Sequence, residues 1–252
     1  MYHTTGLHPE QITHLCALVH QQASEEGLRF WPAILGLRKS MVVALTYLRR
    51  NRVQTELAET FSVSQATISR AVTGLTPLIS DVLSAGVPTA EDLDGEDQYL
   101  VDGTLLPCWS WRAHPELYSG KHKTTGMNVQ VACDLYGRLA WISDPVEGSR
   151  HDTHCLRVSG VLETLDPGNW IGDKGYVGNG MLTPIKKPEC RDLVDWEKQY
   201  NKEVNRLRAV IERVISDFKN WAIMHTDYRR PLRTFGKTIS AVIALHFYQL
   251  AE

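Results

Sequence analysis

Apolar positions in the first third of the chain recur at helical spacing. Residues 8–22 (HPEQITHLCALVHQQ) and 38–51 (LRKSMVVALTYLRRN) read as helices, the second mostly apolar with a basic end. Residues 54–73 (QTELAETFSVSQATISRAVT) divide into a helix from Gln54 to Thr60, a tight turn from Phe61 to Val63, and a second helix N-capped by Ser64. Leu57, Ala58, Val63, Ile68 and Val72 would pack these two helices together, leaving Gln65, Thr67, Ser69 and Arg70 to point outward. From Gln98 the pattern changes. Gln98 to Leu106 is a short strand with Asp102 in its middle, and Met127 to Asp134 alternates. A turn at Leu135 to Gly137 leads into a third strand, Arg138 to Ser143. A helix is expected from Asp152 to Leu165, then a short apolar strand, Trp170 to Gly172, that delivers Asp173 to a Gly-flanked loop. The chain closes on an apolar helix from Thr234 to Leu250.

Between these lies the helix around which the reading turns, Asn201 to Trp221. Val204, Leu207, Ile211, Ile215 and Phe218 form its apolar stripe. Asn205, Arg208, Glu212 and Lys219 form a second stripe beside it, about 60° wide at helical spacing. A solvated charged face with Arg208 and Glu212 four apart would look the same on the helix alone.

The residues from 54 to 73 have the spacing of a helix-turn-helix, whose second helix enters the major groove with polar side chains near its start. Ser62 stands where the turn usually holds Gly. An ordinary helical hairpin would share the spacing, but Arg49, Arg50 and Arg52 adjoin it as candidate phosphate contacts. After Leu83 the chain runs through Gly86 and Pro88 into an acidic, linker-like strip, placing a domain boundary near residue 90. The expected organisation is an all-α helix-turn-helix domain over residues 1–90 and an α/β domain over 91–252.

Charge sharpens this picture. The net charge is −2, yet residues 29–70 hold seven Lys/Arg against two Glu, and 186–237 hold thirteen Lys/Arg against eight Asp/Glu. Ala90 to Asp102 carries six acids and no base, so a neutral total hides two basic stretches. Five cysteines without a CxxC pair argue against a disulfide framework or a zinc ribbon and for a reducing cytosol. Neither a signal peptide nor an uninterrupted apolar run long enough to span a membrane is read in the sequence.

Asp102 is an acid inside an apolar strand, where an unpaired charge is costly, so an arginine, a metal or solvent should compensate it. Asp173 follows a strand end between Gly172 and Gly175, which allow close approach to the backbone. With Glu212 on the helix, three acids could converge on Mg²⁺ or Mn²⁺, which favour oxygen ligands. A pair of such ions activates a hydroxyl nucleophile and stabilises the leaving oxygen of a phosphodiester. Arg208 and Lys219 would hold phosphate oxygens beside them. Asp134 and Asp144 read as turn acids. Asp152 reads either as a catalytic acid or as a first-turn acid favoured by the helix dipole.

The chain resembles DDE transposases of bacterial insertion sequences, in the branch related to PIF/Harbinger elements. The motifs run in order: VDGTLLP around Asp102, YSGKHKTTGMNVQ at 118–130, GSRHD at 148–152, GDKGY at 172–176, TPIKKP at 183–188, and N-x2-R-x3-E-x6-K from Asn205 to Lys219. Related groups commonly begin the last signature with Tyr where this chain has Asn205. The resemblance implies a ribonuclease-H-like catalytic domain, a mixed sheet with flanking helices, carrying Asp102, Asp173 and Glu212 as catalytic acids and ligands of two ions, Mg²⁺ or Mn²⁺. It implies Lys121, Lys123, Lys186 and Lys187 as DNA contacts, though solvated surface lysines would look the same. The partner would be double-stranded DNA, both element ends and target, cut and joined by a homo-oligomer at synapsis in the bacterial cytoplasm. A domesticated DNA-binding regulator and a stand-alone Mg²⁺ endonuclease stand as alternatives.

Overall fold

In a computed structural model, described for residues 2–27, 29–109, 113–164 and 166–251, the chain divides into two units. One comprises residues 1–87 and 219–252, the other 88–218.

The first unit is helical. It holds α1 (Tyr2–Thr5), α2 (Pro9–Glu25), α3 (Gly36–Arg50), α4 (Gln54–Thr60) and α5 (Gln65–Leu83). Its core forms around α5, whose Ile68, Ala71, Val72, Leu75 and Ile79 are fully buried or nearly so. By length and composition the segment from Gln65 to Asp92 is apolar enough to cross a membrane. Helix α5, however, packs against α2, α3, α4 and the C-terminal helix, as a core helix does. That C-terminal helix, expected in the α/β domain, belongs to the helical unit instead. It buries Ile239, Val242 and Leu245, and it packs on α5.

The second unit is mixed α/β. Its strands are β1 (Tyr99–Pro107), β2 (Tyr118–Ser119), β3 (Thr124–Asp134), β4 (Leu139–Ile142) and β5 (Val146–Glu147). Strand β3 is the hub: β1, β2, β4 and β5 all pair with it antiparallel. The β1 register sets Asp102 opposite Val131, Gly103 opposite Gln130 and Leu105 opposite Asn128. The segment Trp170 to Gly172 is not a full strand. Ile171 alone makes single parallel bridges, to Leu100 on one side and Leu182 on the other. The helix expected from Asp152 breaks into α6 (Asp152–Val158) and α7 (Val161–Thr164) at Gly160, whose φ of +75° lies in the left-handed region. Its expected end at Leu165 lies outside the described residues.

Helix α8 spans Asp195–Phe218, beginning earlier and ending earlier than its pattern suggests. Val204, Ile211 and Phe218 are buried as expected, but Leu207 is 41% exposed. Its early start is capped by Glu197, which accepts a hydrogen bond from the Val194 backbone and two from the Arg191 guanidinium. Helix α8 lies against β1 and β3. The C-terminal helix completes the list as α9 (Phe235–Leu250).

Candidate active site

The site grows from β1. Asp102 sits mid-strand with its side chain 16% exposed, and Arg208, on α8 and 14% exposed, places Nη2 3.1 Å from Asp102 Oδ2. The Gly103 backbone N–H donates to Asp102 Oδ1 at 2.9 Å. The strand acid thus has an arginine as its compensating group. Burial still pushes the Asp102 carboxyl up to about 6, against Arg208 and with help from the carboxylates of Asp173 and Asp152.

Asp173 arrives by the bridge at Ile171, whose N–H and C=O bond to Tyr99 and Val101 of β1. It caps the 3-10 turn Lys174–Tyr176 by accepting from the Gly175 N–H at 2.6 Å. Asp152, at the first turn of α6, accepts from Lys121 Nζ at 2.9 Å and from Asn128 Nδ2 at 3.0 Å. Two glycines give it room. A Cβ on Gly103 would lie 2.3 Å from Asp152 Oδ1, and one on Gly175 would lie 2.7 Å from Asp173 Oδ1 and 3.7 Å from Asp152 Oδ2. The bare backbone of Gly175 therefore lets the Asp173 carboxylate close in, with Asp152 nearby.

The structure brings Asp102, Asp173 and Asp152 into one another's field. Glu212 lies one turn beyond Arg208 on α8 and is exposed to solvent. Among the described residues, no three His, Cys, Asp or Glu side chains gather closely enough to hold a metal ion. The donor chemistry nevertheless suits a hard cation. Carboxylate oxygens of Asp173 and Asp152 are the nearest polar atoms to where a Cβ on Gly175 would stand, and two of the acids already carry protein cations, Arg208 on Asp102 and Lys121 on Asp152. Burial acts against the Lys121 charge, but the bond to Asp152 and the three carboxylates raise its pKa above the usual lysine range.

Other expected contacts fall variously. Lys123, Lys186 and Lys187 are exposed, and Lys187 pairs with Asp192 at 2.6 Å. Lys219 directly follows the last residue of α8. In the helix-turn-helix, Gln65 and Arg70 are exposed and Ser69 is half-buried. Thr67 is buried and does not point outward. It occupies the third position of α5, where its hydroxyl folds back to 3.0 Å from Ser64 Oγ. Ser62 adopts φ +52°, the left-handed conformation for which that turn position favours glycine.

The sequence reading missed Asn128, Gln130 and Tyr176. The Tyr176 hydroxyl, fully buried and kept protonated first by burial and then by the nearby acids, donates to Gln130 Oε1 at 2.5 Å. Gln130 Nε2 reaches Asn128 Oδ1 at 3.4 Å, and Asn128 holds Asp152. The available signal was a pair of amides at alternate positions of an otherwise apolar strand, which a buried face accepts only when bonded.

Comparison with known proteins agrees with this architecture. Residues 101–246 match the family described as DDE superfamily endonuclease, and residues 35–85 match the helix-turn-helix of DDE superfamily endonuclease. The chain belongs to the DDE superfamily endonucleases, enzymes that generally use divalent metal ions, and carries their helix-turn-helix, a DNA-binding element. It is 28% identical over 222 residues to a protein of Streptomyces albus G named as a transposase for insertion sequence element IS112, covering 87% of this chain and 83% of that one. A protein of Microchaete diplosiphon named as a transposase for element IS702 is 26% identical, covering 85% and 81%. The Xenopus laevis protein named as nuclease HARBI1 is 24% identical, covering 69% and 55%. No solved structure matches the chain.

Proposed function

We propose that this chain is a DNA transposase that binds the terminal inverted repeats of its own element, cuts a phosphodiester there, and joins the freed 3′-hydroxyl to target DNA. The observation that carries the reading is Asp102, a largely buried strand acid, in the field of Asp173 and held by Arg208 from the facing helix. The similarity to two proteins named as insertion-sequence transposases supports the same conclusion. A ribonuclease-H-like arrangement is supported by the antiparallel order β1, β3, β4, by Ile171 running parallel beside β1, and by α8 packed on β1.

In this reading Asp102, Asp173 and Glu212 are the residues that would hold two divalent ions, Mg²⁺ or Mn²⁺. When bound, such ions polarise the phosphodiester and supply a nucleophile at neutral pH. The chain's own residues do the rest. Arg208 orients Asp102, and its guanidinium would suit a phosphate oxygen of DNA bound beside that acid. Lys121, Lys123, Lys186 and Lys187 position the DNA backbone, and Gln65, Ser69 and Arg70 face the groove. Synapsis of two element ends favours a homodimer or larger assembly. A second reading, hydrolysis without strand transfer, is favoured by the similarity to a protein named as a nuclease.

The test is cleavage and joining of a labelled duplex carrying the element's end in Mg²⁺, by wild type and by Asp102→Ala, Asp173→Ala and Glu212→Ala. Loss of cleavage in all three variants with DNA binding intact is expected. A wild type that binds yet never cuts with any divalent ion would overturn the catalytic reading in favour of a regulator. Cutting without joined product selects the nuclease.

A further inference from the structure

After α8 the chain returns to the helical unit, and residues 225–237 (HTDYRRPLRTFGK) carry four Lys/Arg against one Asp. This segment is pinned. Tyr228 is fully buried and stacks on Phe235, with ring centroids 4.4 Å apart. Its hydroxyl lies 2.7 Å from Thr234 Oγ1 and 3.0 Å from Thr238 Oγ1. Asn51, the left-handed C-cap of α3, donates from Nδ2 to Thr226 Oγ1 at 2.6 Å and to the Asp227 carbonyl at 3.2 Å. The two arginines that follow Tyr228 are held in turn. Arg229 donates from Nη2 to the Asn51 carbonyl at 3.0 Å, and Arg230 donates from Nη2 to Thr73 Oγ1 at 2.6 Å. Thr73 is exposed on α5, one turn past Arg70.

Both anchors are neutral. Lys237, further along the segment, pairs with Asp81, but among the described residues neither Arg229 nor Arg230 pairs with a carboxylate. Exposed arginines are ordinary. Ordering one, however, costs rotamer freedom that a single neutral hydrogen bond at the surface hardly offsets. What the anchors leave is a placed guanidinium with its whole charge and most of its N–H donors open to an anion. Both stand beside the helix-turn-helix, one at the α3 end that leads into it and one on α5 itself. Gln65 and Ser69 lie at the start of α5, where such a helix reads bases, whereas Thr73 lies in its third turn.

We propose that Arg229 and Arg230 grip the sugar–phosphate backbone of duplex DNA beside the groove that α5 enters. The C-terminal segment is then a second phosphate-binding ridge, outside the helix-turn-helix match at residues 35–85. This rests on the DNA-binding reading above and extends it.

The experiment is fluorescence anisotropy of the full chain over a KCl series, with a duplex carrying the element's end and a random duplex. Arg230→Gln and Arg229→Gln are each expected to weaken binding to both duplexes by a common factor. Each should also flatten the log affinity against log salt by about 0.9, one phosphate contact. Arg230→Lys keeps the charge and Thr73→Val removes only the anchor, so both are expected to hold the wild-type slope. If Arg230→Gln and Thr73→Val weaken binding equally with the slope unchanged, Arg230 only braces α5 and the inference is overturned. Wild-type affinity and slope in both Gln variants overturn it as well, with the DNA-binding reading intact. A wild type that binds neither duplex overturns that reading too. Should Arg230→Gln not fold, Arg229→Gln decides alone: an unchanged slope overturns the inference.

Discussion

Gly103 and Asp152 are matched across two elements, since the place a Cβ would take on Gly103 lies 2.3 Å from Asp152 Oδ1 and 2.9 Å from Gln130 Nε2. Both side chains are largely or fully buried and hydrogen-bonded, so an added methyl must break into that network. Gly103→Ala is therefore expected to lower stability by about 1–3 kcal/mol. It should cut the rate of DNA cleavage by about 100-fold, the scale of an ångström's misplacement in a site. Denaturant unfolding and single-turnover cleavage measure the two effects separately.

At Asp102, burial outweighs the neighbouring arginine. The two members of that pair should consequently respond in opposite ways when replaced. Asp102→Asn removes a charge that the fold holds unfavourably, so unfolding of the metal-free protein should match wild type within about 1 kcal/mol or exceed it, while cleavage is lost. Arg208→Met leaves that charge with two acids nearby and no guanidinium, and should destabilise by about 3 kcal/mol. Urea unfolding in the presence of a chelator checks both.

What could be read from the sequence, and what could not, follows from the range of the interactions. Asp102 and Asp173 are legible because an acid in an apolar strand and an acid between glycines are local anomalies. Arg208 is legible as one member of a helical stripe. Thr67 is misread because helical period alone sends it outward, whereas the third position after an N-cap turns its hydroxyl back to Ser64. The segment at Ile171 is misread as a strand because two apolar residues before a glycine satisfy the pattern, yet only Ile171 bridges. The placement of α9 with the helical unit depends on packing between residues more than 150 positions apart, such as Lys237 Nζ, 2.6 Å from Asp81 Oδ1. No local pattern carries that. The amide chain to Asp152 lies between, since its two members on β3 are visible as polar exceptions but their partners are not.

The helix-turn-helix gives a local test. Ser62 adopts φ +52° in the turn, and Ser64 Oγ accepts from the Thr67 N–H at 3.3 Å. Ser62→Gly should stabilise the chain by up to about 1 kcal/mol, because a left-handed residue without Cβ is unstrained. Ser64→Ala should cost about 1 kcal/mol through loss of the cap. Both changes are readable by chemical denaturation.

Arg70 is exposed near the start of α5, its Nη2 3.4 Å from Thr67 Oγ1. If it meets a phosphate, Arg70→Ala should weaken binding to all duplexes alike and flatten the log affinity against log salt by about 0.9, one phosphate contact. A base contact would instead relax sequence preference and leave the salt slope unchanged. Fluorescence anisotropy over a salt series, on specific and random duplexes, separates the two.

His246, buried on α9, has its imidazole pKa pushed down to about 4, first by burial and then by Arg49 on α3, against a hydrogen bond with Gln249. The unfolded chain takes up a proton near pH 6.5 that the folded chain refuses until about pH 4. Stability is therefore complete above pH 6.5 and falls as pH drops through this window. The loss from His246 between pH 7.5 and pH 5 should be about 2 kcal/mol. Urea midpoints of wild type and His246→Gln at the two pH values test it: the variant, unable to take up that proton, should show a correspondingly smaller drop. Equal drops in the two proteins would show that His246 does not titrate differently in the folded and unfolded chain.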